Sequence, residues 1–329
     1  MKPIIKAGLV FTGLCATLSF AISLVLVRSL FLAVPFTEKK ENLRYHFALY
    51  VPQERNSFFS DIIEGARRSA AEQNALLSVH TLDRDGIVLH MAAYIGVDGI
   101  VIYPNNDDSV TLSALERLRS RSIPLILSNH NVPADQPWPF IGTNNFDLGK
   151  KAASLLAQKE GESLSIAIVY SEKTPSIYAE RELVEMGIHS VIGRSLSGPL
   201  FPQRTDLNPR DAEKIIYHIL QTNPSINTVI FTDTNDTLAG TQAIIDLNLV
   251  GRMRIIGFGS DPTILSYIQR GIIAGSLSVR PEHIGYQSVR SLVELVSGGY
   301  TSSSVDTGID VITVDNLQLF RTNRERTEQ

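Results

Sequence analysis

Residues 46–74 read HFALYVPQERNSFFSDIIEGARRSAAEQN. The first six form an apolar run of strand length. From Phe58 onward the apolar positions fall on one helical face, with Phe58, Ile62 and Ala66 in line and Phe59, Ile63 and Ala70 beside them. A strand without polar alternation is buried on both faces, and followed by an amphipathic helix it makes half of a parallel crossover unit. The pairing then repeats. Strand-like runs recur at 76–82, 99–103, 123–128, 165–170, 227–231 and 254–258, and helical spacing at 113–118, 148–156, 212–220 and 238–247. The expected fold class is α/β, built from doubly wound parallel sheets.

One segment breaks the rhythm. In IPLILSNHNVPADQPWPFIGTNNFDLGKKAA (123–153) two strands follow one another through a Pro-rich connection, and a new series of alternations begins near Thr143. This is read as the passage between two lobes. Roughly 285 residues follow the amino-terminal segment, a comfortable length for two domains of ordinary size. Sheets of this kind bind ligands beyond the carboxyl ends of their strands, so each loop after a strand is a candidate for the site.

Between Ala7 and Phe36 the only charge is Arg28, and Lys2 and Lys6 precede an apolar stretch of about twenty residues, enough to span ~30 Å of hydrocarbon. Residues 1–36 are therefore read as a membrane anchor, with Arg28 snorkelling near the outer interface. A cleaved signal ending at Ala21 is the competing reading; it would leave ISLVLVRSLFLAVPF exposed on the mature protein. Lysines on both sides leave the orientation undecided by charge. The single cysteine, Cys15, follows Leu14 rather than the small residue that a lipoprotein signal needs, and disulfides within the later part are excluded.

A formal net charge of −4 argues against a nucleic-acid surface. The sequence contains no P-loop, no Gly-x-Ser-x-Gly elbow and no histidine pair at metal-ligand spacing, and Pro262 stands where a dinucleotide fingerprint would need its third glycine. Neither an enzyme nor a metal or cofactor site is expected.

Several segments in order resemble the type I periplasmic binding proteins, especially the ribose-binding branch, whose fold is shared with the ligand-binding cores of lac-repressor-type regulators. They are ALYVPQERNSFFSDIIEGARRSAAEQN, VDGIVIYPNNDD, IPLILSNHN, FIGTNNFDLGKKAA, the Arg-bearing SIYAERE, FTDTNDTLAG, RIIGFGSDP and GIIAGSLSVRPEHIGYQS. A DNA-binding regulator would need a helix-turn-helix ahead of the core, where this chain has its apolar segment. The resemblance implies two lobes with a ligand cleft between them and three crossovers, near Thr143, near Val279 and around Thr301 to Gly308. Lobe 1 would comprise 45–142 plus 280–300, lobe 2 would comprise 143–279 plus 301–316, and 317–329 would be a polar tail.

The residues carried over to the cleft are Asn56, Phe58, Phe59, Tyr103, Asn129, His130, Arg181, Asn235, Phe258 and Asp261. Each has a structural competitor. Phe58, Phe59 and Phe258 could be core residues rather than aromatic platforms for a sugar ring. Asn56 and Asn235 could cap helices rather than grip hydroxyls, and Arg181 could pair with Glu180 or Glu185 on the surface. Of the neighbours Asn235 and Asp236, the first is read as the ligand residue and the second as structural. The chain also departs from the ribose-binding pattern. Asn129-His130 replaces an Asp-Arg pair, Gly259 replaces an Asp, Val279 a Gln, Tyr103 an Asn and Leu207 an aromatic. Sites keyed to hydroxyls discriminate strongly, so these losses point away from ribose itself. The expected function is a membrane-tethered, extracytoplasmic solute-binding protein for a small polar ligand, a sugar or sugar derivative. Its partner would be an ABC-type permease or a sensor histidine kinase; the remaining alternative is a scaffold that no longer binds ligand.

Overall fold

The computed structural model describes residues 17–24, 44–53, 57–83, 86–104, 108–132, 134–157, 163–171, 178–205 and 209–320. The chain divides into two compact units, Met1–Arg44 and Tyr45–Gln329. In the first, 17–24 is helical with exposed side chains, and the rest of the expected anchor lies outside the described residues. Among the described residues no helix is long and apolar enough to cross a membrane.

The second unit runs β1 (Tyr45–Pro52), α1 (Ser57–Glu72), β2 (Ala75–Leu82), α2 (Ile87–Met91), β3 (Gly99–Ile102), α3 (Ser109–Ser120), β4 (Leu125–Ser128) and β5 (Phe140–Gly142). It continues with α4 (Asn145–Leu156), β6 (Ile166–Ser171), α5 (Tyr178–Ile192), β7 (Phe201–Thr205), α6 (Pro209–Thr222), β8 (Thr228–Phe231), α7 (Thr234–Asp246), β9 (Arg254–Phe258), α8 (Pro262–Gln269) and β10 (Gly275–Val279). Last come α9 (Pro281–Gly298), β11 (Ser304–Asp306) and β12 (Ile309–Ile312).

Two six-stranded sheets result, ordered β11-β5-β4-β3-β1-β2 and β12-β10-β9-β8-β6-β7. All pairings are parallel except β10 with β12. The continuous apolar runs are explained by burial on both faces. In β1, Ala48 and Tyr50 enter one core while Phe47, Leu49 and Val51 enter the opposite one. In β6, Ile166, Ile168 and Tyr170 divide from Ala167 and Val169 in the same way. Each fully buried side chain of this size contributes ~1.5–3 kcal/mol.

The chain passes between the sheets at Thr143–Asn144, at Arg280 and at Thr307–Gly308. Two expected boundaries need correction. Residues 304–306 belong to the first sheet, because β11 pairs with β5, and not to the second lobe. The polar tail does not begin at 317, because Leu317 is buried in the second lobe's core with Phe320 packed against it. Strands β7 and β10 had no apolar signature: FPQRT lies at a sheet edge and GSLSV is built of small residues.

Helix starts are set by short polar side chains. Asp108, Asn144, Asp233 and Asp261 accept backbone N–H bonds at the heads of α3, α4, α7 and α8. In each lobe one helix pair is brought together by facing glycines. A Cβ on Gly65 of α1 would lie 1.8 Å from the Glu282 carbonyl oxygen, and one on Gly285 of α9 would lie 1.9 Å from that of Ile62. The pair α4 and α5 repeats the arrangement with Gly149 and Gly187.

Candidate functional site

Five of the ten residues assigned to the cleft gather at the carboxyl ends of β1, β3 and β4. Phe59 and Tyr103 are each 7 % exposed. Their rings meet edge to face at 5.0 Å, with Phe58 5.3 Å from Phe59 and His130 5.0 Å from Tyr103. Phe59 is thus a core residue, packed with Phe47, Leu49 and Ile62, while half-buried Phe58 lies at the edge of that core. Asn129, held at φ 61°, donates from Nδ2 to the Tyr103 hydroxyl at 3.0 Å. Asn56 lies outside the described residues, as does Leu207.

The second lobe meets this wall through a residue that the sequence suggested only as a possible surface partner of Arg181. Glu180 bonds His130 Nδ1 at 2.9 Å and accepts the Asn131 N–H at 3.2 Å. Its carboxylate is therefore engaged across the lobes. The other proposed surface partner of Arg181, Glu185, accepts from the Tyr170 hydroxyl at 3.4 Å. The Arg181 guanidinium lies over the Tyr170 ring, 4.8 Å from its centroid, a cation–π arrangement that aims the side chain along the end of β6. Burial pushes the Tyr103 phenol well above its ordinary pKa. The Asn129 bond opposes this, and the negative charges of Glu180 and Asp233 add to it. The charges of two carboxylates of the second lobe are therefore felt at an aromatic of the first.

At the head of α7 capping is resolved in favour of Asp233, which accepts from the Asn235 and Asp236 N–H groups. The Asn235 side chain is exposed, whereas Asp236 is 1 % exposed and accepts the Thr205 hydroxyl. Phe258 packs against the second lobe's core and donates its N–H to Thr237. Asp261 is the cap of α8, accepting from Thr263 at 2.8 Å. Glu180, Asp233 and Tyr170 were not singled out as cleft residues. The available signal was position alone: each closes a strand or opens a helix at the carboxyl edge of its sheet.

Position 259, where the resemblance implies an Asp, leaves little room for a side chain. Gly259 has φ +95°, and a Cβ there would lie 2.2 Å from Thr234 Oγ1. Gly259→Asp is expected to destabilise the fold by ~1–3 kcal/mol through crowding and a strained backbone and to create no pentose binding. Chemical denaturation together with ribose titration checks both halves. Unchanged stability would mean that Thr234 is free to move aside.

No group of three or more His, Cys, Asp or Glu side chains that could hold a metal occurs among the described residues. What the arrangement offers is a concave wall with an aromatic side and a polar side, supplied by different lobes.

The sequence profile of the periplasmic binding protein domain matches residues 47–299. The chain belongs to that family. Family members are binding proteins rather than enzymes. Among its relatives, the ribose import binding protein of Bacillus subtilis is 23% identical over 298 residues, covering 84% of this chain and 93% of the relative. The D-apiose import binding protein of Actinobacillus succinogenes is 25% identical over 234 residues, covering 69% and 73%. Of the solved structures, a glucose-galactose binding protein from Geobacillus stearothermophilus superposes with a TM-score of 0.75 at 22% identity, over 83% of this chain and 98% of that one. An ABC transporter periplasmic solute-binding protein from Actinobacillus succinogenes with bound D-allose gives 0.73 at 18% identity, over 84% and 99%. These likenesses carry the two-lobed fold.

Proposed function

We propose that the chain is an extracytoplasmic solute-binding protein that closes its two lobes on a sugar or sugar derivative. The observation that carries this is the meeting of Phe58, Tyr103 and His130 of one lobe with Glu180 of the other, next to which the Arg181 guanidinium lies over Tyr170. Aromatic edges and faces suit the C–H surface of a sugar ring, and the guanidinium and amide groups opposite suit its hydroxyls. Ligand would favour the closed arrangement because only there do both walls reach it. The relatives named for ribose and D-apiose import support the ligand class. The departures at 129, 130, 259 and 279 favour a ligand other than ribose.

Delivery to an ABC-type permease is the first use of such closure. A sensory role, biasing a membrane histidine kinase, is the second, favoured by the long apolar segment 7–36, which we read as a retained membrane tether. Mass measurement of the membrane-extracted protein tests the tether, and a product beginning at Ile22 would remove it.

A saccharide panel read by thermal shift tests the function. Ligand at 100 times its Kd should add ~2.7 kcal/mol of stability. Arg181→Ala and Asn235→Ala should each weaken binding about tenfold to a hundredfold while melting near the parent without ligand. Parental affinity in both would remove these residues from the site, and silence across the panel would remove the sugar.

A further inference from the structure

Beside the aromatic wall two hydrogen bonds cross from one lobe to the other, both made by protein groups. Glu180, in the first turn of α5, meets His130 Nδ1 at 2.9 Å through one carboxylate oxygen and the Asn131 N–H at 3.2 Å through the other. The first lobe presents its half on a fixed frame. The Asn129 N–H donates to the Ile141 carbonyl at 2.7 Å and the His130 N–H to that of Ser128 at 2.8 Å, while the His130 ring stands edge-on to Tyr103. A carboxylate of one lobe held at both oxygens by the other is a fastening between them.

An ionised carboxylate can only accept, so His130 Nδ1 carries a proton in this contact. The ring is then either neutral in that tautomer or an imidazolium, and the charged form makes the stronger bond. Histidine is the side chain whose ordinary charge change falls between about pH 5 and 8. Separating the lobes takes Glu180 away. The closed arrangement therefore holds the proton more tightly than the open one. Its added stability is present at the acid end of that range and is lost as pH rises through the closed-state titration. The side chains of His130 and Glu180 are 30% and 17% exposed, so water screens the pair only in part.

The groups facing His130 reinforce this sign. Among the described residues, β3 supplies Tyr103, kept protonated by burial, and α1 supplies the uncharged rings of Phe58 and Phe59. The second lobe supplies Glu180, the adjacent Arg181 lying over the Tyr170 ring, and Asp233, whose charge is felt at Tyr103. Asp306 of β11 lines one cavity with Glu180 and Asn131. Three carboxylates thus stand against one guanidinium.

We propose that His130 and Glu180 form a pH-sensitive latch that draws the two lobes closed without ligand and tightens as the solution turns acidic. The proposal rests on the two-lobe closure of the functional reading above, not on which ligand is bound. A ligand that selects the closed arrangement then gains affinity at lower pH, because the latch and the ligand favour the same state.

The test uses no sugar. Full-length protein in detergent, carrying Cys15→Ser, Val110→Cys and Thr263→Cys, is labelled with a donor and an acceptor dye at the exposed heads of α3 and α8, one in each lobe. Single-molecule energy transfer then gives the closed and open populations between pH 5.5 and 8. Their ratio should fall about fivefold across that range, the difference between a charge-assisted and a neutral hydrogen bond. Glu180→Gln removes the charge, and His130→Gln keeps a donor for Glu180 without a titration. Each should make the ratio independent of pH, and either decides alone if the other does not fold. A parent ratio that does not move with pH overturns the proposal. So does a pH response that survives in the variants, which would assign it to another group, Asp236 first. Either result leaves sugar binding standing, and a saccharide panel without a hit leaves the latch standing.

Discussion

Gly285→Ala is expected to lower the free energy of unfolding by more than about 3 kcal/mol. A methyl group there would stand 1.9 Å from the Ile62 carbonyl oxygen. The obstacle is backbone, so no side-chain rotation relieves it, and α1 and α9 must separate along the whole contact. Ile62, Ala66, Val289 and Leu292, all fully buried, would lose packing together. Gly298→Ala on the same helix is the control, since nothing lies within 4 Å of its Cβ. It should be neutral or stabilising by up to ~1 kcal/mol through helix propensity. Urea denaturation of the three proteins checks both. Parental stability in Gly285→Ala would mean that the helices sit farther apart than described here.

The second large effect is on the pH dependence of stability. Burial raises the Asp236 carboxyl from its ordinary 3.8 to about 6; the Thr205 hydrogen bond works against the rise and the Asp233 charge adds to it. A carboxyl whose folded pKa lies above its unfolded value favours the folded state when protonated, so this group stabilises at low pH and its contribution disappears as pH rises from about 4 to 6. A shift of this size corresponds to a few kcal/mol at the acid limit, roughly half of which is lost by pH 5. Asp236→Asn removes the titration. The stability difference between parent and variant should therefore change by on the order of 1 kcal/mol between pH 7.5 and 5, in favour of the parent at the lower pH. A difference independent of pH would show that Asp236 stays ionised throughout.

Much of the fold could be read from periodicity. The runs at 46–51, 165–170 and 254–258 announced buried parallel strands because both faces of each are covered, which removes polar alternation. Edge strand β7 and the small-residue strand β10 carried no such mark, since alternate residues of the first are exposed and the second packs with little side-chain volume. Strand β11 was missed because two of the three residues of SVD are polar and its place in the first sheet depends on pairing with β5, more than 160 residues earlier. At the cleft, the aromatic residues were visible by type and position, but whether Phe59 is platform or core depends on neighbours from α9 and β3 that no local pattern records. Glu180 went unassigned for the same reason. A carboxylate one residue from an arginine suggests a local pair, and only the approach of the β4 loop gives it His130 instead. The absence of a carboxylate at 259 was legible; the crowding that a side chain there would meet at Thr234 was not.

The order in which the chain fills its two sheets also constrains how it is made. The first core needs Val289 and Leu292 of α9, and its sheet is closed at one edge by β11. Five strands of that sheet are therefore synthesised long before the helix that covers them. At ~5–20 residues per second the interval from Tyr45 to Gly298 is on the order of tens of seconds. Throughout it one side of the nascent sheet is covered by α1 alone, and neither half of the protein can be finished on the ribosome ahead of the other. Such a chain is suited to chaperones that hold it open until α9 and the two strands after it arrive, and a stop codon or protease cut ahead of α9 would leave neither lobe complete, with no independently folded half to survive.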